Sequence, residues 1–286
     1  MLPVTGRFAP SPTGPLHIGS LVAAVGSWLF ARSAGGRWLV RMEDLDRPRV
    51  VPGSDQEILG ALQKYGLDWD GDVVYQSQRT ALYEDALARL RSGGAVFDCA
   101  CSRAELQRAA SAPAQSELTY PGTCRNGLPP GRVARAVRFR APQGVIAFDD
   151  LIRGRVEEDV AHDTGDFVLK RADGVFAYQL AVVVDDEEQG VTQVVRGGDL
   201  LSSTARQIAL QRALGFPTPQ YAHVPLVMDE EGAKLGKRTG ALPLDVLDEK
   251  RVAETLWLAL RHLGSEAETL EEALKQWSAA DPASPS

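Results

Sequence analysis

The sequence predicts an α/β fold with a parallel-sheet core, a loop-rich insert and a short helical region at the carboxyl end. Strand-like and helix-like segments alternate through residues 1–95 and again through residues 166–245, a pattern typical of parallel sheets. Residues 96–165, between these two stretches, hold all three cysteines together with hairpin-like turn signals. Residues 246–286 are expected to form closing helices and a tail. We therefore expect two halves of one core separated by an insert.

The first core half is predicted to contain one strand and three helices after the initial strand. A mainly apolar, Ala-rich helix runs from Leu16 to Arg32 behind a Pro/Gly-rich stretch, and Arg37 to Glu43 has the character of a strand. Helical spacing follows in Asp55 to Tyr65, with Ser54 placed as its cap, and again in Arg79 to Arg91. Ligands of such sheets bind at the carboxyl ends of the strands.

The insert lacks the periodicity of a packed core. From Cys99 to Gly131 small residues and prolines accumulate around the cysteines, and a bound metal would supply the stability that packing cannot. From Ala136 to Tyr178, β-branched and aromatic runs are divided by turn signals such as Asp173-Gly174, which predicts hairpins.

Alternation resumes after the insert. We expect a helix from Gln179 to Val184, a strand from Thr192 to Arg196 and a helix from Leu200 to Leu214. Two amphipathic helices, Arg251 to Leu263 and Glu266 to Trp277, are expected to close the fold.

The composition excludes several classes of protein. The chain has 286 residues, 44% of them hydrophobic, which is ample for a core. It has no apolar run of the roughly 18 residues that a membrane span needs, and its amino terminus lacks a signal-peptide pattern. The net charge of −7 argues against nonspecific nucleic-acid binding. We therefore expect a cytoplasmic monomer without a membrane partner.

Any RNA contact would need a local basic surface on this acidic chain. The arginine run from Arg132 to Arg140 is the candidate, since Arg138 and Arg140 would share one face of a strand. The alternative is that these arginines face solvent or pair with carboxylates such as Asp149 and Asp150.

Two segments together predict a split nucleotide site. A helix that begins at His17 after the Pro12 to Pro15 loop would direct free N–H groups at a phosphate. Gly14 and Gly19 would allow close approach, and His17 would donate to an oxygen that gains negative charge. The basic segment Lys234 to Arg238 could carry cations to a polyphosphate, although its glycine spacing is not that of a P-loop. Taken alone, the first segment could be an ordinary Pro-rich entry loop to a buried helix. The second, by itself, is more often a solvated run of charges.

The pair resembles the signatures of class I aminoacyl-tRNA synthetases. His17-Ile18-Gly19-Ser20 matches the HIGH motif, and Lys234 to Arg238 matches the KMSKS motif. The runs Gly6 to Gly14 and Arg41 to Asp46 are similar to the glutamyl and glutaminyl branch. The resemblance implies a Rossmann-like nucleotide-binding core, with His17 and Lys237 as catalytic residues. It also implies Mg²⁺ with ATP, bound by His17, Gly19, Ser20, Lys234 and Lys237.

The KMSKS match is imperfect. Gly236 and Arg238 stand where serines usually occur, whereas the lysine matching the one that acts on ATP phosphates, Lys237, is present.

The same resemblance implies a pocket for L-glutamate. A substrate with two carboxylates and one ammonium needs fixed cations, preferably arginines, and one anion. The implied pocket residues are Arg7, Phe8, Ala9, Pro10, Ser11, Glu43, Tyr178 and Arg196. Without the resemblance, Arg7, Glu43 and Arg196 could instead form a surface salt-bridge set, and Tyr178 could be a core residue.

The cysteine cluster predicts a metal site. Cys99, Cys101 and Cys124 offer three thiolates, and one further ligand would complete tetrahedral Zn²⁺. The residues alone leave that fourth ligand open between Tyr120, water, Glu105 and Glu117, and free thiols remain the alternative.

The resemblance extends to the truncated relatives of glutamyl synthetases. It implies a structural zinc site of Cys99, Cys101, Tyr120 and Cys124. Only 48 residues follow the lysine segment, which ends at Arg238 in the chain of 286, so no anticodon-reading domain is expected.

The truncated group activates glutamate with ATP without tRNA and transfers it to the queuosine base of tRNA(Asp). That reaction is the expectation here. The alternatives are a discriminating glutamyl-tRNA synthetase-like enzyme that charges a tRNA 3′ end, and a noncatalytic amino-acid or RNA-binding paralogue.

Overall fold

The computed structural model describes residues 3–109, 119–229, 232, 234–235 and 243–279. Four residues named in the sequence analysis lie outside the described residues: Lys237, predicted to be catalytic; Gly236 and Arg238, which depart from the KMSKS motif; and Glu117, a candidate metal ligand. None of the described helices is long and apolar enough to cross a membrane.

The first core half is a three-stranded parallel sheet with helical crossovers. Its elements are β1 (Thr5–Phe8), α1 (Ile18–Ser33), β2 (Arg37–Met42), α2 (Ser54–Lys64), β3 (Val74–Tyr75) and α3 (Thr80–Ser92). The strand order is β1-β2-β3, and both pairings are parallel. The predicted helix after the Pro/Gly-rich loop begins at Ile18, with His17 as its N-cap.

The predicted cap of α2 was wrong. Gly53, at φ 81°, is the N-cap, and Ser54 is already the first helical residue. The Ser54 hydroxyl instead accepts a hydrogen bond from the Gly14 amide at 2.9 Å. Ser54 therefore fixes the loop ahead of α1.

The insert and its flanking hairpins follow. Their elements are β4 (Val96–Cys99), α4 (Arg103–Ala109), β5 (Ala136–Phe139), β6 (Ile146–Asp150), β7 (Gly154–Glu158), α5 (Val160–Asp163) and β8 (Phe167–Lys170). An antiparallel sheet of order β4-β5-β8 flanks the cysteine region. The hairpin predicted at Asp173-Gly174 is confirmed, since Lys170 bridges Phe176 and Gly174 has φ 82°.

The second core half restores the parallel arrangement. Its elements are α6 (Tyr178–Glu188), β9 (Gln193–Gly197), α7 (Leu201–Leu214), β10 (Gln220–Val224), α8 (Glu249–His262) and α9 (Leu270–Ala279). β10 pairs in parallel with β9 on one side and with β6 on the other. α6 continues four residues beyond the predicted end at Val184.

The two core halves meet along β1 and β9. The Thr192 amide donates to the Thr5 carbonyl at 3.0 Å, and the Arg7 side chain reaches the Val195 carbonyl at 3.5 Å. The two strands therefore run in the same direction, so the carboxyl ends of β1, β2, β9 and β10 lie at one edge, where a ligand is expected.

Helix α1 is packed on both sides and has little room to shift. A side chain at Gly26 would meet Val224 at 3.2 Å and Leu263 at 3.3 Å. Leu21, Val25 and Leu29 of α1 are fully buried in the same core. The amino-terminal end of α1 is thus held rigidly at the carboxyl edge of the sheet.

Candidate active site

A cavity of about 780 Å³ opens at this edge. The loop after β1, the start of α1, the ends of β2 and β9, the start of α6 and the segment after β10 all contribute to its wall. All eight predicted glutamate-pocket residues line it, as do His17, Gly19, Ser20 and Lys234. The structure therefore brings together every described residue of the predicted pocket and nucleotide site, while their binding roles remain predictions.

One end of the cavity is formed by the start of α1. His17 caps the helix, with its Nδ1 accepting from the Ser20 amide at 3.4 Å and its Nε2 lying 3.2 Å from the Ser20 hydroxyl. Gly19 lies under the His17 ring, because a Cβ there would come within 3.2 Å of it. A larger residue at position 19 would push His17 away from its place.

The lysine segment lies against the same helix start. The Leu235 carbonyl is 3.6 Å from the position of a Cβ on Gly19, and the Leu235 amide donates to the Val227 carbonyl at 2.9 Å. Lys234 forms an ion pair with Asp199 at 2.5 Å. The two halves of the predicted split site therefore adjoin.

One side of the cavity is a buried network of charges, the Arg7 network, formed by Arg7, Arg41, Glu43 and Asp186. Asp186 accepts from Arg7 at 3.2 Å and from Arg41 at 2.8 Å. Burial by itself would raise the pKa of Asp186, but the two guanidinium charges outweigh it and lower that pKa. Asp186 thus remains ionised and holds both arginines in place.

Glu43 is the member of the Arg7 network whose carboxylate is poorly satisfied. Burial raises its pKa to about 7, although Arg41 and Arg7 act in the opposite direction. Its Oε1 lies 3.6 Å from Arg41 Nη2, too far for a good hydrogen bond, and both atoms are buried without a hydrogen-bond partner among the described residues. An added cation donor beside Glu43 would favour its ionised form.

The adjoining part of the cavity wall is the Arg196 network, formed by Tyr178, Arg196, Thr204, Gln207 and His223. Arg196 donates to His223 Nε2 at 3.1 Å, to Gln207 at 2.8 Å, to Thr204 at 2.9 Å, and at 3.3 Å to both the Tyr178 hydroxyl and the Leu200 carbonyl. Because guanidinium only donates, the Tyr178 oxygen accepts, and its hydroxyl proton is left to donate elsewhere. Tyr178 therefore offers its O–H to the cavity.

Phe8 to Ser11, at the end of β1, contribute to the shape of the cavity rather than to its charge. The Phe8 ring is buried and stacks on Trp38 with centroids 6.3 Å apart. The Pro10 carbonyl accepts from the Glu43 amide at 2.9 Å, which fixes Ala9 to Ser11 beside the acidic residue.

Two buried acidic residues that support the cavity wall were missed by the sequence reasoning. Asp185 and Asp186 follow the apolar run of α6 and were placed beyond its predicted end at Val184. Asp185 accepts from Gln76, Arg79 and Tyr83 at 2.6–2.8 Å. The available signal was the acidic pair itself, directly after an apolar helical run.

The cysteine cluster has the dimensions of a metal site. The thiol sulfurs of Cys99, Cys101 and Cys124 lie within 4.8 Å of one another, and the last two are 3.7 Å apart. The Tyr120 oxygen lies 3.5 Å from Cys99 and 3.7 Å from Cys101. Metal–sulfur bonds of about 2.3 Å and a metal–oxygen bond of about 2.0 Å in a tetrahedron place sulfurs about 3.8 Å apart and sulfur about 3.5 Å from oxygen. The cluster could therefore hold a metal with Tyr120 in the fourth position.

The other described candidate for the fourth ligand is engaged elsewhere. Glu105 accepts from the Ser102 amide at 2.7 Å and from Arg132 at 2.8 Å. This carboxylate is outside the group of converging ligand atoms.

The predicted basic face at Arg138 was wrong. Arg138 is buried, donates to the Cys99 sulfur at 3.3 Å and lies over the Tyr120 ring at 4.0 Å. Arg132 is paired with Glu105 rather than with Asp149 or Asp150. These arginines support the cysteine cluster, where their charges would offset those of bound thiolates.

The fold and the site define a class of ligase. The family of class I tRNA synthetases (E and Q), catalytic domain, matches residues 3–281, and the chain belongs to it. The predicted resemblance to this family is therefore confirmed.

Relatives specify the branch. The chain is 60% identical over 266 residues to a protein named glutamyl-Q tRNA(Asp) synthetase from Geobacter sulfurreducens, covering 92% of this chain and 85% of the relative. It is 56% identical over 280 residues to a protein of the same name from Dechloromonas aromatica, covering 98% and 91%.

A solved structure agrees with this placement. A glutamate tRNA ligase from Elizabethkingia meningosepticum, in complex with its amino acid, matches with a TM-score of 0.72 at 31% identity. The match covers 83% of this chain and 52% of that one, so the chain spans about half the length of that ligase.

Proposed function

We propose that this chain activates L-glutamate with Mg·ATP, without tRNA, and transfers the glutamyl group to the queuosine base of tRNA(Asp). The observation that supports it most is the single cavity in which Arg7, Glu43 and Arg196 face the helix start at His17. The names of the relatives, which this chain matches over most of their length, support the acceptor.

The cavity is complementary to a dicarboxylic amino acid. Arg7 carries an Nη2 group that has no hydrogen-bond partner among the described residues, while Arg196 has acceptors for all five N–H donors. A carboxylate would thus be bound directly by Arg7 and the Tyr178 hydroxyl, with the Arg196 charge behind them. The ammonium would be bound by Glu43, whose carboxylate is otherwise poorly satisfied.

The first step needs positioning and charge stabilisation. One glutamate carboxylate oxygen attacks the α-phosphorus of ATP, and pyrophosphate leaves. The amides at the start of α1 and the His17 ring would donate to the phosphate oxygens, with Lys234 and Lys237 as cations beside them. Mg²⁺, bound with ATP, would offset part of the phosphate charge.

The second step transfers the acyl group. A hydroxyl of the queuosine cyclopentene-diol attacks the carbonyl carbon of the adenylate, and the bond between that carbon and the bridging phosphate oxygen breaks. AMP leaves with the bridging oxygen, and the hydroxyl proton passes to the departing phosphate or to solvent. No side-chain nucleophile is needed, so the cysteine cluster has no place in the chemistry.

The cysteine cluster is proposed to bind one structural Zn²⁺ through Cys99, Cys101, Tyr120 and Cys124. Four protein ligands leave no open position for water, which is the mark of a structural site. Elemental analysis should give about one zinc per chain, and Cys124→Ala should lose it.

The fourth zinc ligand can be tested with a matched pair. Tyr120→Phe should weaken zinc retention against a chelator, whereas Glu105→Gln should retain it as the wild type does. Full retention by Tyr120→Phe together with loss in Glu105→Gln would reverse the assignment.

The reaction is tested by two assays on the full chain. ATP–pyrophosphate exchange should proceed with glutamate and no tRNA, and labelled glutamate should then attach to tRNA(Asp) only when queuosine is present. Periodate treatment and mapping of the label locate the attachment. Attachment at the 3′ terminal ribose would replace the proposal with an ordinary charging enzyme, and absence of exchange would favour a noncatalytic module.

The role of His17 in the first step can be tested with a second histidine as the control. His17→Ala should lower exchange by about 10²- to 10³-fold, because a donor to the reacting phosphate is lost. His162, which is exposed and whose Nδ1 lies 2.8 Å from Asp163, provides the comparison. An equal loss in His162→Ala would show that the assay reports folding rather than chemistry.

A further inference from the structure

Behind Arg196 lies a buried chain of polar groups that reaches no ligand itself. His223 is fully buried, and its two ring nitrogens have different partners. Nε2 faces Arg196 Nε at 3.1 Å, and Nδ1 faces Asp150 Oδ2 at 2.6 Å. Asp150 ends β6 and His223 lies in β10, so the chain connects two neighbouring strands to the cavity.

The hydrogen-bonding roles in this chain are fixed by chemistry. Arg196 can only donate, so His223 Nε2 must accept and carries no proton. The single ring proton is therefore on Nδ1, where it is donated to Asp150. Thr204, whose hydroxyl lies 3.2 Å from the same Nε2, can adapt to either arrangement.

Asp150 is itself held firmly. Its Oδ1 accepts from the amides of Ile152, Arg153 and His223 at 2.9–3.2 Å. Because three backbone amides already donate to Oδ1, only Oδ2 is left to accept a hydrogen bond from the His223 ring.

We infer that Asp150 and His223 are positioning residues for amino-acid recognition: Asp150 sets the His223 tautomer, and that tautomer holds the Arg196 guanidinium behind the Tyr178 hydroxyl that faces the carboxylate of the substrate. The inference rests on the proposed function, because it assigns the amino acid to the cavity beside Arg196. It extends that function by placing a determinant of carboxylate recognition outside the cavity wall.

The sharpest test is Asp150→Asn. The asparagine oxygen can keep the backbone bonds at Oδ1, but its NH₂ group then faces His223 Nδ1 as a donor. The ring proton moves to Nε2, where it opposes the Arg196 N–H. The KM for glutamate should rise by about 10- to 100-fold, since a buried donor loses its acceptor, while the KM for ATP stays within about twofold.

The tautomer can be read directly by ¹⁵N NMR on histidine-labelled protein, because the chain has only four histidines. The wild type should show His223 protonated at Nδ1, and Asp150→Asn should show it protonated at Nε2. A wild-type His223 protonated at Nε2 would overturn the inference regardless of any kinetic result.

Asp166→Asn is the matched control. Asp166 is as buried as Asp150, at 4%, and accepts from the Ala141 amide at 2.9 Å, but it does not line the cavity. Its replacement should leave the KM for glutamate unchanged. An equal rise in both variants would show a general effect of losing a buried carboxylate and would count against the inference.

A second pair keeps the test independent of Asp150. The oxygen of Gln at position 223 can take the place of Nε2 and accept from Arg196, whereas Asn can take only the place of Nδ1. His223→Gln should therefore stay within about fivefold of the wild-type KM for glutamate, and His223→Asn should match Asp150→Asn. Equal losses in both would mean that His223 serves packing alone.

The proposal and the proposed function fail differently. Wild-type protein without glutamate-dependent exchange would remove the function while leaving the NMR result readable. Wild-type exchange with an unchanged KM in folded Asp150→Asn would remove only the positioning role.

Discussion

Arg7 and Arg196, the two arginines of the described cavity wall that are buried, are supported in opposite ways. Arg7 is 3% exposed and lies in a network of charges, in which Arg41 and Glu43 keep buried polar atoms without partners among the described residues. Arg196 is 5% exposed and is surrounded by neutral groups that accept all five of its N–H donors. The Arg196 network is complete before any ligand arrives, whereas the Arg7 network is not.

The difference indicates a division of labour. A complete hydrogen-bond network holds a guanidinium rigidly, which lowers the entropic cost of binding. An incomplete one gains most when a ligand supplies the missing partner, because buried unsatisfied groups are costly. We infer that the Arg196 network presents a fixed charge and that the Arg7 network is stabilised by the substrate.

The largest effect is expected from Asp186→Asn, which removes the anion between Arg7 and Arg41. Two buried guanidinium groups would lose their shared counter-charge, so the free energy of unfolding should fall by about 3–5 kcal/mol. Urea denaturation measures this. Asp98→Asn, which breaks an exposed pair with Arg91, should change the same quantity by less than about 1 kcal/mol. A small effect at Asp186 would contradict the picture of a charge-dependent Arg7 network.

Glu43→Gln should separate stability from binding. The raised pKa of Glu43, about 7 against 4.5, means that the folded protein binds the proton more tightly than the unfolded chain does. The contribution of Glu43 to stability is therefore fully present below about pH 4.5 and is lost as the pH rises to about 7, by an amount on the order of 3 kcal/mol. At about pH 8 the variant should be more stable than the wild type, and the advantage should shrink toward pH 5.

The same variant should lose the anion for the substrate ammonium. The KM for glutamate should rise by about 100-fold with the KM for ATP little changed, because a buried charge-assisted hydrogen bond is lost. If Glu43→Gln were destabilised at about pH 8 and still bound glutamate normally, Glu43 would be a structural partner of Arg41 instead.

The pH dependence of kcat/KM for glutamate in the wild type should report the titration of Glu43. As the pH falls below about 7, Glu43 becomes protonated and kcat/KM for glutamate should fall, by about tenfold at pH 6 relative to pH 8. Burial lowers the pKa of His223, so this histidine should stay neutral over the same range despite Asp150. A profile in Glu43→Gln that keeps the wild-type slope would assign the titration to another group.

The sequence predicted the cavity better than it predicted what supports it. The motif around His17, the run from Arg41 to Asp46 and the cysteine spacing all contain local signals, and α1 and β2, which adjoin the first two, were predicted to within two residues at each end. No element was predicted for the cysteine region, where the structure has β4 and α4. Asp150 and His223 carried no such signal, because they are brought together by the parallel pairing of β6 and β10 across 73 residues. Arg138 was placed wrongly for the same reason, since strand alternation gives a face but not what covers it.

The smallest effect is expected from Tyr178→Phe, which removes one hydroxyl from the Arg196 network. Arg196 keeps Gln207, Thr204 and His223, so its position should hold and stability should change by less than about 1 kcal/mol. The lost donor to the carboxylate should raise the KM for glutamate by about fivefold, measured by pyrophosphate exchange. If Tyr178→Phe raised the KM for glutamate more than Glu43→Gln does, glutamate recognition would depend chiefly on the Arg196 network, which is complete before binding. The roles assigned to the two networks would then be reversed.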